Sequence, residues 1–271
     1  MILSVVIVSH NEEANIARTL ASVQPLVAGG KGEIIVVDSG STDRTVEIAK
    51  SYGAKVFIEK WKGYAAQKNS AIEKAAGDWI LSLDADEEVG EGAREFALDF
   101  LSGRLGSVFA DFDGVEFDRR NYFLGRWIRF GGFYPDPKLR LFRRGSGTFE
   151  ERLVHEDVQL RPGKKAFNPS TTYGEHKDFD LLHHSYPTLA DYLDHMNRYS
   201  SLGAEMVVAQ GRVRFSAFNI VLRPLATFIY NYFFRLGFLD GREGLLLHLY
   251  HAVYVSWKYA KAWELARKKS Q

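Results

Sequence analysis

Four carboxylates stand within five residues of this chain, at Asp84, Asp86, Glu87 and Glu88, directly after an apolar run. Carboxylates this close repel one another, and the repulsion grows where burial removes water. In the Asp-x-Asp pattern, two of them supply the hard oxygen ligands that suit Mg²⁺ or Mn²⁺, which commonly takes further ligands from substrate phosphates. The alternative interpretation is a solvated turn, in which these acids cap a helix that begins near Glu91.

The carboxylates belong to a region, residues 1–90, in which apolar strands alternate with amphipathic helices. Such alternation predicts an α/β fold with a Rossmann-like, mostly parallel sheet and flanking helices, whose ligands bind beyond the carboxyl ends of the strands. The predicted strands are 3–8, 33–38, 54–59 and 79–83, and the predicted helices run from Asn11 to about Gln24, from Ser41 or Thr42 to Gly53, and over 64–76.

Three polar clusters follow the first, second and fourth of these strands. They are Ser9-His10-Asn11, Asp38-Ser39-Gly40-Ser41 and Asp84-Ala85-Asp86. Because parallel strands of one sheet end at the same edge, we expect these side chains to lie close together. Their convergence favours a binding site over the solvated-turn interpretation.

The whole chain has 271 residues, of which 46% are hydrophobic and 25% charged, and a formal net charge of +1. This composition is typical of one large globular domain with additions, and it predicts no nucleic-acid partner. The absence of Cys excludes disulfides and thiolate metal sites and fits a reducing, cytoplasmic compartment. The apolar residues 1–10 predict a first strand and not a signal peptide. Zinc is not expected, because no zinc-site spacing joins His155, His176, His183 and His184.

Residues 107–160 are predicted to add strands and loops, and their basic and aromatic side chains indicate a binding surface. From Arg119 to Arg144, eight Lys and Arg residues accompany one acid, Asp136, and are interleaved with aromatic residues. Arginine clamps phosphate while aromatic faces stack on sugar rings, so an anionic, sugar-bearing partner would suit this surface. A β insertion packed into the core with solvated arginines is the alternative.

Residues 212–271 form a basic, aromatic-rich tail after an amphipathic helix predicted over 188–210. Ten Lys and Arg accompany three acids in the tail, a net charge of +7, which leaves −6 for residues 1–211 out of the total of +1. The charge-free runs 224–234 and 244–257 are shorter than the ~20 apolar residues of a spanning helix. We therefore predict a catalytic domain over 1–211, followed by helices that lie in a membrane interface with basic anchors. Packing on the catalytic domain, or formation of a homodimer, is the alternative.

Three stretches of residues 1–90, in this order and spacing, resemble the family-two glycosyltransferases with a GT-A fold: SVVIVSHNEEANI, EIIVVDSGSTDRTVEIA and GYAAQKNSAIEKAAGDWILSLDADEE. Enzymes of that family transfer sugars from nucleotide donors with inversion. The later stretches FYPDPKLRLFRRG, ERLVHEDV, LLHHSYPTLADYLDHMNRYS and GFLDGREGL resemble the branch of lipopolysaccharide core β-1,4-glucosyltransferases. The resemblance implies a donor half over 1–90 and an acceptor half over 107–187.

The resemblance also implies which residues bind the donor nucleotide. Asp38 stands where the family hydrogen-bonds the base, usually uracil, and Ser9 and His10 stand where the first strand meets that base. Glu12 lies near the position of the ribose or base, and Gly63 allows a close approach of the backbone.

The same resemblance implies how the diphosphate and the metal are held. Lys68 would point at the diphosphate, Asp84 would contact the ribose or a metal-bound water, and Asp86 would be the direct ligand of Mg²⁺ or Mn²⁺. Ala85 separates the two aspartates, and both aspartates are candidate metal ligands.

Inverting transfer needs a base that accepts the proton of the attacking hydroxyl, worth typically ~10²–10⁴-fold in rate. In RLVHEDV this base is predicted at Glu156 or Asp157, with Glu156 first because the lipopolysaccharide-core branch carries Val-His-Glu. A charged turn between two strands is the alternative. The candidates on the acceptor side are His155, His183, Arg140 and Trp127.

The residues and the resemblance together predict an inverting, metal-dependent hexosyltransferase. It would move a hexose, with glucose the first choice, from a UDP-sugar to a lipid-anchored acceptor such as inner-core lipopolysaccharide. It would work as a peripheral enzyme at the inner face of the cytoplasmic membrane. The alternatives are a polyprenyl-phosphate glycosyltransferase, whose phosphate acceptor needs no base, and a nonenzymatic nucleotide-sugar-binding or membrane-scaffold protein.

Overall fold

A computed structural model describes residues 1–106, 109, 111–150, 157–173, 178–211, 213 and 215–269 of the chain. Its contacts divide the chain into two compact units, Met1–Arg119 with Asp136–His183, and Arg120–Pro135 with His184–Gln271. The second unit therefore begins well before residue 211, where the sequence predicted a boundary. The reason is that the helix preceding residue 211 packs along the C-terminal helix of the same unit.

The chain forms twelve strands and eight α-helices within the described residues. The strands are β1 (Leu3–Ser9), β2 (Gly32–Asp38), β3 (Lys55–Ile58), β4 (Trp79–Asp84), β5 (Glu87–Val89), β6 (Gly114–Phe123), β7 (Arg126–Trp127), β8 (Lys138–Arg143), β9 (Gly147–Phe149), β10 (Val158–Leu160), β11 (Ala166–Phe167) and β12 (Asp180–Tyr186). The α-helices are α1 (Ile16–Val27), α2 (Thr45–Ser51), α3 (Tyr64–Glu73), α4 (Glu91–Ser102), α5 (Pro169–Tyr173), α6 (Leu189–Ala209), α7 (Arg223–Ile229) and α8 (Gly241–Lys269). Short 3₁₀ or π segments lie at Ala28–Gly30, Phe218–Leu222, Tyr230–Phe234 and Gly237–Asp240.

The first unit is built on a sheet whose strands run in the order β3-β2-β1-β4-β8-β6. β1 pairs in parallel with β2 and β4, so that Val5 lies opposite Ile34 and Leu81, whereas β8 is antiparallel to both β4 and β6. β5 forms an antiparallel pair with β12, which places His183 opposite Glu87. The predicted α/β fold with a parallel sheet over residues 1–90 is confirmed.

Helices cover both faces of this sheet and bury its apolar side chains. Leu20 of α1 belongs to the same buried cluster as Leu81 of β4, whereas Ala71 of α3 clusters with Ile80 of β4 and Val6 of β1. Neighbouring residues of a strand point to opposite faces, so each strand supplies both clusters. This two-sided burial explains the near-continuous apolar runs in the sequence.

Two helices begin later than the sequence predicted. α1 begins at Ile16 and not after Asn11, and α2 begins at Thr45 and not after Ser41 or Thr42. The loops before these helices bind each other instead. The Asn11 amide N–H donates to Ser41 Oγ at 2.8 Å, and the Thr42 amide N–H donates to Asn11 Oδ1 at 2.9 Å. These contacts hold the polar ends of β1 and β2 together at the edge of the sheet.

In the second unit, α6 packs along α8. α6 spans Leu189–Ala209, close to the predicted 188–210, and begins with a capping box in which Thr188 and Asp191 each accept a hydrogen bond from the other's backbone N–H. Within the described residues, no helix has the length and apolar character needed to cross a bilayer. The buried core of this unit contains Phe123, Ile128, Tyr192 and Leu247.

Candidate functional site

The clustered carboxylates lie on a turn between two strands, and not at the start of a helix. Asp84 ends β4, Asp86 lies in the turn, and Glu87 begins β5. The next helix, α4, has Gly90 as its N-cap. The interpretation of these acids as helix caps is therefore wrong, and their repulsion must be relieved by positive groups.

Asp84 is paired with two buried cations. Lys68 Nζ lies 2.6 Å from Asp84 Oδ1, and Arg140 Nη2 lies 3.0 Å from Asp84 Oδ2. The two basic side chains are 5% and 4% exposed. Burial alone would raise the pKa of Asp84, but Lys68 and Arg140 hold it well below its usual range. Asp84 is thus ionised, and its charge is matched within the chain.

Glu87 is fully buried and belongs to the same network of ion pairs. Glu87 Oε1 accepts hydrogen bonds from Arg140 Nη2 at 2.6 Å and from Arg119 Nη1 at 3.2 Å, and Glu87 Oε2 accepts one from the Asp84 amide at 3.1 Å. Arg119 is anchored in turn by Asp136 at 2.8 Å. The sequence analysis assigned Glu87 no role beyond the alternative of a helix cap, and it missed this supporting role. The signal for it was the arginine-rich stretch that follows, which becomes β6 and β8.

Asp86 faces a different partner. His183 Nε2 lies 3.4 Å from Asp86 Oδ2, because β12 pairs with β5 and brings His183 to the turn. Burial and the negative charge of Asp84 raise the pKa of Asp86. The attraction to His183 and the hydrogen bond from it, with a smaller contribution from Arg119, outweigh both, so the pKa of Asp86 is lowered. Asp86 and His183 therefore form an acid–imidazole pair beside the Asp84 network.

The chemistry of this pair fits a divalent cation. A carboxylate oxygen and an imidazole nitrogen are both common ligands, and Mg²⁺ or Mn²⁺ usually keeps open positions for substrate phosphates. Among the described residues, no three His, Asp or Glu side chains form a ready metal cluster. Asp86 and His183 would therefore hold the ion together with oxygens of a donor. Asp84 was predicted as the second metal ligand, but its two carboxylate oxygens are already paired with Lys68 and Arg140.

Asp38 and Ser9 shape the adjoining loop. Asp38 is fully buried, and its Oδ1 accepts from the amides of Gly40 and Ser41 at 2.9 and 2.7 Å. Its Oδ2 accepts from the hydroxyls of Ser9 and Ser41 at 2.9 and 2.5 Å. A carboxylate offers about four acceptor positions, so these bonds fill them. The geometry favours a role in shaping the loop over the direct contact with a base that the resemblance implies.

Glu12 and His10 lie in the loop after β1. The Glu12 amide donates to Thr45 Oγ1 at 2.8 Å, and its carboxylate accepts from Asn15 Nδ2 at 2.9 Å. Burial, and repulsion from Asp86 and Asp84, raise the pKa of Glu12 to about 7 although the bond from Asn15 opposes the shift. His10 is exposed, with its Nε2 3.4 Å from Asn11 Nδ2.

Gly63 and α3 position Lys68. Gly63 precedes α3 with φ of +97°, a conformation that side-chain-bearing residues rarely adopt. One turn into the helix, Lys68 lies over the ring of Phe149 at 5.2 Å. Phe149 ends β9, and the neighbouring Asn69 holds this strand through two hydrogen bonds of 2.9 Å, one to the carbonyl and one from the amide of Phe149. The predicted helix therefore brings Lys68 to Asp84.

Two of the predicted catalytic and acceptor residues, Glu156 and His155, lie outside the described residues. Asp157 is described, and its Oδ1 lies 3.5 Å from Lys138 Nζ. Trp127 lies in the second unit, where its ring contacts the guanidinium of Arg120 at 4.4 Å. The structure brings together Lys68, Asp84, Ala85, Asp86, Arg140 and His183. Arg140 was predicted to lie on an exposed acceptor surface, whereas in this group it is buried.

Comparisons with known proteins bear on the family and the fold of the chain. Residues 4–164 match the sequence profile described as Glycosyl transferase family 2. The chain is 30% identical over 274 residues to the lipopolysaccharide core biosynthesis glycosyltransferase LpsC of Rhizobium meliloti, covering 97% of this chain and 92% of that protein. An uncharacterized glycosyltransferase of Rickettsia typhi is also 30% identical, over 98% of this chain and 88% of its own.

A solved structure shares the fold. The mannosyltransferase PcManGT from Pyrobaculum calidifontis, in complex with GDP-Man and Mn²⁺, is similar with a TM-score of 0.57 at 16% identity, covering 96% of this chain and 86% of that chain. At this identity the likeness concerns the fold alone. With the sequence profile, it confirms the predicted GT-A fold.

Proposed function

The chain belongs to glycosyl transferase family 2, and on that premise we propose that it moves a hexose, namely glucose, from a UDP-sugar to a lipid-anchored saccharide. Inner-core lipopolysaccharide is the acceptor that we propose, and the transfer inverts the anomeric centre. The similarity to the lipopolysaccharide core glycosyltransferase LpsC, over nearly the full length of both chains, supports this acceptor class. Such an acceptor would place the enzyme as a peripheral protein at the inner face of the cytoplasmic membrane.

The observation that carries the proposal is the buried pair of cations at Asp84. Lys68 and Arg140 stand at the carboxyl end of β4, where ligands of an α/β sheet bind. Because the chain already holds these two side chains in place against Asp84, they would supply preorganised N–H donors near a leaving diphosphate and shield it from that carboxylate. Arg140 Nε is buried without a hydrogen-bond partner among the described residues, so the guanidinium retains a donor.

The chain's own residues would divide the transfer between them. A carboxylate, Glu156 in our assignment or else Asp157, accepts the proton of the acceptor hydroxyl as its oxygen attacks the anomeric carbon. The bond from that carbon to the diphosphate oxygen breaks, and UDP leaves with the electron pair towards Lys68 and Arg140. Mg²⁺ or Mn²⁺, bound at Asp86 and His183, would supply Lewis-acid stabilisation of the same leaving group.

Calorimetric titration tests the donor half of the proposal. UDP, GDP and dTDP are titrated, with and without Mn²⁺, into wild type, Asp86→Ala and Asp99→Ala. We expect UDP to bind only with Mn²⁺, and Asp86→Ala to weaken it at least about a hundredfold, since even outer-shell changes cost ~10–100-fold. Asp99 is 43% exposed and pairs with Arg104, so its variant should bind as wild type does. Metal-independent UDP binding, or equal loss in both variants, contradicts the proposal.

Transfer assays test the base and the rival functions. With UDP-glucose and a lipopolysaccharide acceptor, Glu156→Gln should lower kcat by about 10²–10⁴-fold, and Asp157→Asn should lower it less. If both variants keep wild-type activity with polyprenyl phosphate, the polyprenyl-phosphate glycosyltransferase is favoured. Donor binding without turnover on either acceptor would favour a nonenzymatic binding protein.

A further inference from the structure

The second unit exposes large apolar side chains in one part of its sequence. We call residues 215–249 the apolar segment, and most of the exposed large hydrophobic side chains in the described part of the chain lie there. Scattered apolar side chains are ordinary on a protein surface, but a concentration of this size marks a surface that meets a partner. The side chains more than half exposed are Phe215, Phe218, Val221, Leu222, Leu225, Tyr230, Phe233 and Phe234.

Two polar residues of the apolar segment are buried, whereas most of its phenylalanines are exposed. Asp240 is 2% exposed and accepts hydrogen bonds from the backbone N–H groups of Arg129 and Phe130 at 3.1 and 2.8 Å. His248 is 1% exposed, whereas Phe234 is 75% exposed. A helix that faces water buries its apolar side chains and exposes its polar ones, which is the reverse of what is seen here. Exposed apolar side chains are expected where helices lie against an apolar medium.

The exposed charges of the apolar segment are positive. Arg223, Arg235 and Arg242 are exposed, whereas the two acids are Asp240, which is buried, and Glu243, which is partly buried in an ion pair. In a two-fold contact the same surface meets itself, so a second copy of the chain would bring these arginines against one another. An anionic lipid surface matches them without this repulsion.

We propose that the apolar segment docks on the surface of an anionic lipid bilayer. Its phenylalanines and leucines enter the boundary between head groups and acyl chains, to a depth of ~5–10 Å, and its arginines lie at the lipid phosphates. The biological setting of this docking rests on the proposed lipid-anchored acceptor. The docking itself requires neither donor nor acceptor, so it can be tested separately from catalysis.

Co-sedimentation of the full chain with phosphatidylcholine vesicles, with and without phosphatidylglycerol, tests this docking. We expect wild type to bind the anionic vesicles, and added salt to weaken the binding. Phe233→Ser with Phe234→Ser should lower the affinity at least about tenfold, because apolar surface then stays out of the bilayer. Arg242→Gln should lower it about fivefold, on anionic vesicles alone. Ile58→Ser changes a side chain that is 67% exposed in the first unit and should bind as wild type does.

Absence of wild-type binding, or equal binding by the double Phe variant, overturns the proposal. Sedimentation velocity without lipid provides a second measurement. A wild-type dimer that dissociates in the double variant would assign the apolar segment to a second copy of the chain and also overturn it. Circular dichroism checks that each variant is folded, and Arg242→Gln with the salt series remains decisive if the double variant is not. UDP binding should be unchanged in all of them, so failure of docking leaves the proposed donor site intact.

Discussion

At the ends of β4 and β8 the first unit buries charged side chains, whereas in the apolar segment the second unit leaves phenylalanines and leucines exposed. Lys68, Arg140 and Glu87 are at most 5% exposed, and Phe234 is 75% exposed. Both regions reverse the usual partition of side chains between core and surface. The two regions differ in whether other side chains of the same chain offset the cost, that is, the cost of burying charge or of exposing apolar surface.

The buried charges satisfy one another, and the apolar segment does not. Asp84 and Glu87 each contact two basic side chains in the first unit, so removal of one partner leaves an uncompensated charge. Phe215, Phe218 and Phe234 each keep more than half of the side chain in water, so the chain itself does not cover them. We infer that the first region is held by contacts within the folded chain, whereas in our proposal the second is covered by the bilayer.

The largest effect is expected from Arg140→Met, which breaks the buried network. The substitution leaves Glu87 with Arg119 and Asp84 with Lys68, and removing one partner of a buried pair typically costs about 3–5 kcal/mol. Urea unfolding measures the loss. Arg143→Met is the matched control, because Arg143 is 45% exposed and lies 3.6 Å from Asp113, so its loss should stay below about 1 kcal/mol. Equal losses in the two variants would show that the network is not a stabilising unit.

A smaller effect is expected from Glu12→Gln, and it depends on pH. The pKa of Glu12 is raised to about 7 from the value of 4.5, so the folded chain holds an extra proton between these pH values. The stability linked to this proton is present below pH 4.5 and is lost as pH rises through about 7. A glutamine side chain at this position mimics the protonated acid, so Glu12→Gln should be more stable than wild type by about 1–3 kcal/mol at pH 8 and equal to it at pH 4.5.

Urea unfolding of wild type and Glu12→Gln at pH 4.5, 6 and 8 checks this prediction. Addition of Mn²⁺ at pH 8 should reduce the difference, because a cation at Asp86 offsets the repulsion that Glu12 experiences. A gain of equal size at every pH would assign the effect to packing and not to charge.

The parallel strands and their polar ends could be predicted from the sequence because both signals are local. A strand buried on both faces is a short apolar run, and Asp84-Ala85-Asp86 follows such a run directly. Helix starts at Asn11 and Ser41 were predicted by the same local reasoning and are wrong. Hydrogen bonds between the two loops, 30 residues apart, outweigh the capping preference of each side chain.

The partners of the carboxylates could not be predicted, because they depend on strand pairing across the sheet. Asp84 and Arg140 are 56 residues apart and meet only because β4 pairs with β8. The sequence shows that arginines follow the acids, but it does not show which of them is buried. The same limit applies to His183, which reaches Asp86 through the pairing of β12 with β5.

Within the second unit, Thr188→Ala tests where the unit's own stability arises. Thr188 Oγ1 accepts from the Asp191 amide at 3.2 Å at the start of α6, and loss of such a cap costs typically about 1 kcal/mol. Thr227→Ala is the control, because its hydroxyl bonds a carbonyl inside α7 and does not cap the helix. Urea unfolding should show the loss for Thr188→Ala alone. Equal losses would mean that the cap adds nothing specific.

The smallest effect on folding is expected from Phe234→Ser, although this residue is the most exposed phenylalanine of the apolar segment. Its side chain is largely exposed to water in the folded chain as well as in the unfolded chain. The substitution should therefore change the free energy of unfolding without lipid by less than about 0.5 kcal/mol. Phe123→Ala in the core of the same unit should cost about 3–5 kcal/mol, because Phe123 is 1% exposed. Phe234→Ser should also raise the concentration at which the lipid-free protein aggregates, since less apolar surface is exposed. A loss above about 1.5 kcal/mol would show that Phe234 packs within the chain, and that the apolar segment needs no outside partner at this position.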